Sequence, residues 1–364
     1  MSPLIRAQAR KRISHILKTS VVQGLLWLTA ISVVCRADNS GRIYLTGGQA
    51  VPAQYSGSDA LLKAIAGASQ LSFASADLDS DGVADFLQGF QTDSGGALIF
   101  RRGNLDAVAP QSQASFDAIG RSQFPAPFLA AAQVVASPVR PDFLSAGNLT
   151  GLNGSEVALA ASGDNTVYVV SVDGGQVQIN PLLTVPGSIV SVAAGSGPFT
   201  LVVGVRDDSG SSRLLVYSRG QDGLALVRNA GLTADPAQVA FGDVDGDGVT
   251  DAVILTGGNV FALRGGDLAN AVLEGVPTAN LVTAIALGSF LHDRSPQLQI
   301  ALLQADGSVH ILAQSGYDPT PLSQKEVMER RQARLRRLRS KVHQAAPRTV
   351  PGPVTWQEIE SYPN

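Results

Sequence analysis

Two stretches of the chain concentrate carboxylates at a fixed spacing. Asp77, Asp79, Asp81 and Asp85 are interleaved with Leu78, Ser80, Gly82, Val83 and Ala84. Asp243, Asp245, Asp247 and Asp251 stand in the same way among Val244, Gly246, Gly248, Val249 and Thr250. Both read D-x-D-x-D-G-x-x-D. Carboxylates at positions 1, 3, 5 and 9, with the backbone carbonyl of position 7 (Val83, Val249), can wrap a hard cation in oxygen. Glycine at position 6 permits the turn that brings position 7 back. Four carboxylates within nine residues repel one another unless a counter-ion joins them. Solvated acidic turns are the plainer alternative, but two copies at one place in a repeat favour Ca²⁺, two ions per chain. A helix–loop–helix calcium hand needs Glu at position 12, where this chain has Gln88 and Ile254. The flanks here are strand-like, so the loops are set in β-structure.

The elements that must hold these loops recur along the chain. The clearest unit runs from Gln238-Val239-Ala240-Phe241-Gly242 through the Asp loop to Ala252-Val253-Ile254-Leu255, a Gly257-Gly258 turn, and Val260-Phe261-Ala262-Leu263. Similar units begin at Leu71, Phe143, Val190 and Ala284. The glycines that close the first strand fall at 147, 195, 242 and 288, a period of 46–48 residues. Short strands repeating at 40–50 residues are the pattern of propeller blades, because one sheet cannot bury both faces and stacked sheets can. The expected fold is therefore all-β, a β-propeller of about six four-stranded blades, with five or seven also open. Residues 101–141 are expected to hold an insertion or a decayed blade. Arg42-Ile43-Tyr44-Leu45-Thr46 could supply the strand that closes the ring.

Residues 71–315 resemble FG-GAP/VCBS repeats, the units of the integrin α-subunit propeller and of many bacterial surface proteins. The resemblance rests on the two Asp loops, on Phe241-Gly242, and more loosely on Leu287-Gly288 and Ala146-Gly147. The Gly-Ala-Pro half of that signature is not evident. The resemblance implies Ca²⁺ in the loops and a binding or adhesion role toward a protein or glycan at a cell surface. It implies no particular partner.

Other loops of the repeat have lost the pattern. Asn148, Thr150, Leu152 and Glu156 stand at positions 1, 3, 5 and 9 in one, and Ser289, Leu291, Asp293 and Gln297 in another. These read as structural turns. Asn148-Leu149-Thr150 and Asn153-Gly154-Ser155 are also glycosylation triplets, which matter only in a host that glycosylates.

Charge divides the chain into three parts: a leader at 1–37, a body at 38–321 and a basic tail at 322–364. The leader has six basic residues, no acid, an apolar stretch from Val21 to Val34, and small residues for cleavage after Ala37. That is the layout of a secretory signal, and it places the mature chain outside the cell, in a periplasm or on a surface. An uncleaved anchor is the alternative. The lone Cys35 lies in the leader, so no internal disulfide staples the mature fold. The body carries 12 basic and 26 acidic residues. Such a surface repels nucleic acid and suits divalent cations. The tail holds nine basic residues against four acids. Ser323-Gln324-Lys325-Glu326 is a capping box for a helix running from Val327 to about Gln344. The helix reads as solvated, docked on the acidic body, or in weak contact with an anionic membrane surface. Pro351, Pro353 and the residues after them read as a flexible end.

Nothing in the sequence marks an enzyme. Outside the leader there are three histidines, His292, His310 and His343, with no G-x-S-x-G or HExxH motif. The alternative function is a propeller hydrolase or lyase of polysaccharides, with an axial site built from several blades.

Overall fold

A computed structural model of the chain describes residues 51–339 and 355–363, save Pro52, Ser94, Leu152, Asn153, Ser295, Pro296 and Ser315, and leaves aside the side chains of 333–339. The leader and the Arg42–Thr46 strand lie outside the described residues. The described part belongs to one compact unit beginning at Val51.

The fold is all-β. Five sheets follow one another along the chain, and each is an antiparallel meander of four strands. Sheet I has β2 (Gln70–Ala76), β3 (Asp85–Thr92), β4 (Gly95–Gly103) and β5 (Phe128–Ser137), with β1 (Gln54–Ser56) added parallel to β5. Sheet II has β6 (Phe143–Gly147), β7 (Glu156–Ala160), β8 (Thr166–Asp173) and β9 (Gln176–Thr184). Sheet III has β10 (Ser188–Ala194), β11 (Leu201–Arg206), β12 (Ser212–Gly220) and β13 (Gly223–Leu232). Sheet IV has β14 (Pro236–Gly242), β15 (Asp251–Thr256), β16 (Asn259–Leu263) and β17 (Glu274–Val276). Sheet V has β18 (Val282–Gly288), β19 (Gln299–Gln304), β20 (Val309–Gln314) and β21 (Trp356–Tyr362).

The second strands explain the stacking. Val157, Ala158, Leu159 and Ala160 are all fully buried. Successive side chains of a strand point to opposite faces. Val157 and Leu159 therefore enter a core shared with Leu87 and Leu98 of sheet I. Ala158 and Ala160 enter another with Val203 and Leu215 of sheet III. In β15, Ile254 joins Val202 and Leu214 of sheet III, while Val253 and Leu255 join Ile300 and Leu302 of sheet V. A strand apolar on both faces is the sequence consequence of a sheet covered on both sides. Each buried valine, leucine or isoleucine contributes about 1.5–3 kcal/mol by leaving water, and each alanine less.

The first strands lie side by side, β2 next to β6, β6 next to β10, β10 next to β14 and β14 next to β18. This close approach accounts for the glycines at 147, 195 and 242, whereas a Cβ on Gly288 would meet the ring of Phe290. A Cβ on Gly147 would lie 2.7 Å from the carbonyl oxygen of Gly195, at the end of the next first strand. That carbonyl accepts the Asn148 N–H at 3.0 Å. Backbone meets backbone here, and no side chain fits between.

Of the two readings of residues 101–141, the insertion is the one that forms, and the decayed blade does not. β4 runs to Gly103, two helices follow (α2, Leu105–Val108, and α3, Gln113–Gly120), and β5 then completes sheet I. The outer face of sheet I is covered by α1 (Asp59–Ile65), whose Leu61, Leu62 and Ile65 pack on Ile99, Ala132 and Val134. The fourth strand of sheet V comes from the segment read as a flexible end: β21 pairs with β20 from Val309↔Tyr362 to Gln314↔Trp356. Trp356 packs against the core between sheets IV and V, which fixes the strand in place. The basic helix α4 (Gln324–Arg339) is thus an excursion between the third and fourth strands of sheet V, as α2 and α3 are in sheet I.

The capping box forms as expected. Ser323 N–H donates to Glu326 Oε2 at 2.8 Å, and Glu326 N–H donates to Ser323 Oγ at 3.3 Å. The contact of α4 with the body has an unexpected sign. Glu326 of the helix pairs with Arg294 of the body, and Arg330 donates to the Arg294 carbonyl at 2.7 Å. Val327 and Met328 stay exposed. No helix among the described residues is long and apolar enough to cross a membrane.

Candidate metal centre

Each Asp loop joins the first strand of its sheet to the second, Asp77–Asp85 in sheet I and Asp243–Asp251 in sheet IV. Their backbones match. Position 4 is left-handed in both (Ser80 φ 61°, Gly246 φ 78°), and so is position 6 (Gly82 φ 88°, Gly248 φ 86°). A left-handed residue costs an L side chain about 1–2 kcal/mol, which is why glycine holds three of these four places.

The loops are laced by their own carboxylates. Asp77 accepts the N–H groups of Asp81 and Gly82, both at 3.0 Å. Asp243 accepts those of Gly246 at 2.6 Å and Gly248 at 3.0 Å. Position 5 accepts from position 7 in both, Val83 N–H to Asp81 at 2.9 Å and Val249 N–H to Asp247 at 2.6 Å. Oxygens of Asp77, Asp79 and Asp85 lie within 4.8 Å of one another, as do those of Asp243, Asp245 and Asp247. Ligand oxygens at about 2.3–2.6 Å from one Ca²⁺ are separated by no more than about 5 Å, so each trio fits a single ion. The donor set is oxygen alone, which suits a hard cation.

Position 9 has a second task that its spacing did not reveal. Asp85 is fully buried and accepts Leu78 N–H at 2.9 Å and Gly103 N–H at 2.8 Å. Asp251, also fully buried, accepts Val244 N–H and Gly265 N–H, both at 3.0 Å. One carboxylate thus ties the start of its loop to the end of the third strand. The same place in the other sheets is also a buried polar residue. Glu156 accepts from Thr150 N–H at 2.7 Å and Thr150 Oγ1 at 2.6 Å. Thr200 Oγ1 accepts Arg219 N–H at 3.1 Å. Gln299 accepts Leu291 N–H at 2.8 Å and donates to its carbonyl at 2.9 Å. Strand pairing sets this equivalence, since Gly147↔Glu156, Gly242↔Asp251 and Gly288↔Gln299 are opposite one another. Position 9 of the sheet V loop is therefore Gln299, two residues beyond Gln297, because that loop is longer.

Burial pushes Asp251 up to about 7, against the hydrogen bonds from Gly265 and Val244 and helped by the charges of Asp245 and Asp247. Burial likewise raises Asp85, Asp243 and Asp245. Holding these groups ionised costs energy that a bound cation offsets.

Two arginines complete the loops and were not singled out from the sequence. Arg102, at the end of β4, pairs with Asp79 and with Asp81 at 3.3 Å. Arg264, just after β16, pairs with Asp245 at 3.4 Å and with Glu274 at 3.0 Å. An Arg-Gly step, Arg102-Gly103 and Arg264-Gly265, closes the third strand of both Asp-loop units, but Arg219-Gly220 closes that of sheet III as well, so the step alone does not single them out.

His310 has the distances of a catalytic relay without its chemistry. Its Nε2 is 2.9 Å from Ser308 Oγ and its Nδ1 is 2.9 Å from Glu358. Ser308 Oγ, however, donates to Asp306 at 2.6 Å. The Gly307 and Ser308 N–H groups are engaged by the Gln304 carbonyl and by Asp306, which leaves no oxyanion donors at the turn. The histidine, on the interior strand β20, links it to the edge strand β21. No family model matches the chain, and no curated protein does.

Proposed function

We propose that the chain is an exported, calcium-binding module of β-propeller type, with five blades formed by sheets I–V, that binds a protein or glycan at a cell surface. The observation that carries this reading is the pair of equivalent loops. They share one backbone path, sit at one place in the repeat, and each brings three carboxylates within 4.8 Å. Asp77, Asp79, Asp81 and Asp85 with the Val83 carbonyl would hold one ion, and Asp243, Asp245, Asp247 and Asp251 with the Val249 carbonyl the other. Ca²⁺ supplies charge that fixes a loop rim; the rigid rim, rather than the ion, is the binding surface. The resemblance to FG-GAP repeats supports the same reading.

A surface fit for binding lies on sheet I. Phe73, Phe86 and Phe128 form a row with ring centroids 5.7 and 5.5 Å apart, Arg101 lies over Phe128, and Phe73 is 62% exposed.

The test is native mass spectrometry of protein recovered outside an expressing cell. The expected species starts at Asp38 and carries the mass of two Ca²⁺. A calcium-free chain still starting at Met1 contradicts the proposal.

A further inference from the structure

We propose that Arg102 and Arg264 are built-in competitors of the cation, and that Glu274 relieves this competition at one loop, making Asp243–Asp251 the tighter calcium site. The inference rests on the calcium reading and adds which of the chain's own residues set affinity and order of filling.

The first observation is positional. Strand pairing puts Phe86 opposite Arg101 and Ala252 opposite Leu263, so Asp85 faces Arg102 and Asp251 faces Arg264. The equivalent residues in the sheets without Asp loops are Ser171, Ser218 and Ala313, from the pairs Val157↔Val170, Leu201↔Tyr217 and Ile300↔Leu312. Arginine occupies this place only in the two sheets that carry an Asp loop. In both it reaches the position-3 carboxylate, Asp79 or Asp245. The guanidinium is therefore a resident counter-charge, and an arriving Ca²⁺ must take Asp79 or Asp245 from it.

The second observation is the difference between the two arginines. The ion pairs of Arg102 are with Asp79 and Asp81, at positions 3 and 5 of its loop. Coordination by both removes both partners. Arg264 instead holds Glu274 through two parallel bonds, Nε to Oε1 at 3.0 Å and Nη2 to Oε2 at 3.1 Å, and only brushes Asp245 at 3.4 Å. Bidentate pairing is the stronger geometry. Arg264 can release Asp245 and remain paired, whereas Arg102 must return to water. A guanidinium left about 5 Å from a divalent ion repels it enough, even with water-like screening, to weaken binding roughly tenfold.

The test is calcium titration by calorimetry on the mature chain, with D243A isolating the first loop and D77A isolating the second. The D77A protein should bind more tightly than the D243A protein. R102Q should tighten the first loop roughly tenfold, R102K should stay near wild type because it keeps the charge, and E274Q should weaken the second loop about fivefold by returning Arg264 to Asp245. Equal affinities that R102Q and E274Q leave unmoved overturn the inference while the calcium reading stands. Binding that emerges only in R102Q would put the tighter site in the first loop and overturns the inference, together with calcium loading of the native chain. Absence of binding in every variant overturns both. Thermal melts of each variant establish folding, and E274Q, outside both loops, gives an independent arm if R102Q does not fold.

Discussion

The two Asp loops are nearly the same object in two settings. Both follow the first strand of a sheet, both turn through left-handed residues at positions 4 and 6, and both bury position 9 completely. They differ in their neighbours. The loop at 77–85 has serine at position 4 and an arginine shared by two of its carboxylates. The loop at 243–251 has glycine at position 4 and an arginine that leans on Glu274. The comparison shows that the nine-residue pattern fixes the path of the backbone and brings positions 1 and 3 together, joined by position 9 in the first loop and by position 5 in the second. Residues well beyond the loop, Arg102 in one case and Arg264 with Glu274 in the other, decide how free those oxygens are.

The comparison is broken most forcefully at position 9. Asp251→Ala leaves the Val244 and Gly265 N–H groups buried without a partner, at about 1–3 kcal/mol each. We expect a loss of about 2–5 kcal/mol in urea unfolding, much of it persisting in EDTA because the hydrogen bonds do not depend on metal. A loss that disappears in EDTA would show that Asp251 is only a ligand. Asp85→Ala should behave alike.

Metal removal comes next. A ligand that binds only the folded chain stabilises it by about 2.7 kcal/mol at a hundredfold excess over Kd. EDTA should lower the melting temperature of the wild type accordingly, and leave the double variant D77A/D243A unmoved. An unchanged wild-type melt would reduce both loops to turns.

Gln299→Ala sharpens the comparison from outside the Asp loops. It strips the Leu291 N–H and carbonyl of their partner, and about 1–3 kcal/mol should be lost equally with calcium and with EDTA. A calcium-dependent loss would mean that sheet V also holds an ion. The smallest effect is Ser80→Gly. Serine at φ 61° is strained, so glycine there should stabilise the first loop by no more than about 1 kcal/mol, the relief being offset by the greater freedom of unfolded glycine. Urea midpoints at constant slope measure it, and a clear loss would place the Ser80 side chain among the loop's necessary contacts.

Much of this was legible in the chain itself. Apolar runs such as Val157–Ala160 and Ala252–Leu255 identify strands buried on both faces, and the glycines at 147, 195 and 242 stand where the next first strand approaches. The repeat of four-stranded antiparallel sheets was legible from the strand pattern, and five such sheets stand among the described residues. What stayed hidden depended on pairing between distant segments. β21 lies far from β20 in sequence, behind a helix and five prolines, so its Trp356, Ile359 and Tyr362 could not be joined to sheet V by local pattern. The role of Gln299 was missed because a longer loop shifts the count by two. Arg102 and Arg264 were invisible as a pair because their meaning comes from the residue opposite them, not from neighbours in sequence. The nine-residue motif suggested that position 9 is a ligand; Thr200 and Gln299, at the same place without an Asp loop, show that its constant task is to tie the loop to the sheet.

The most direct test of the central claim is a count of bound calcium by elemental analysis after equilibrium dialysis, on the wild type, D77A, D243A and the double variant. The account predicts two ions per chain, one in each single variant and none in the double. Calcium absent from the wild type, or a count that ignores these substitutions, would contradict it.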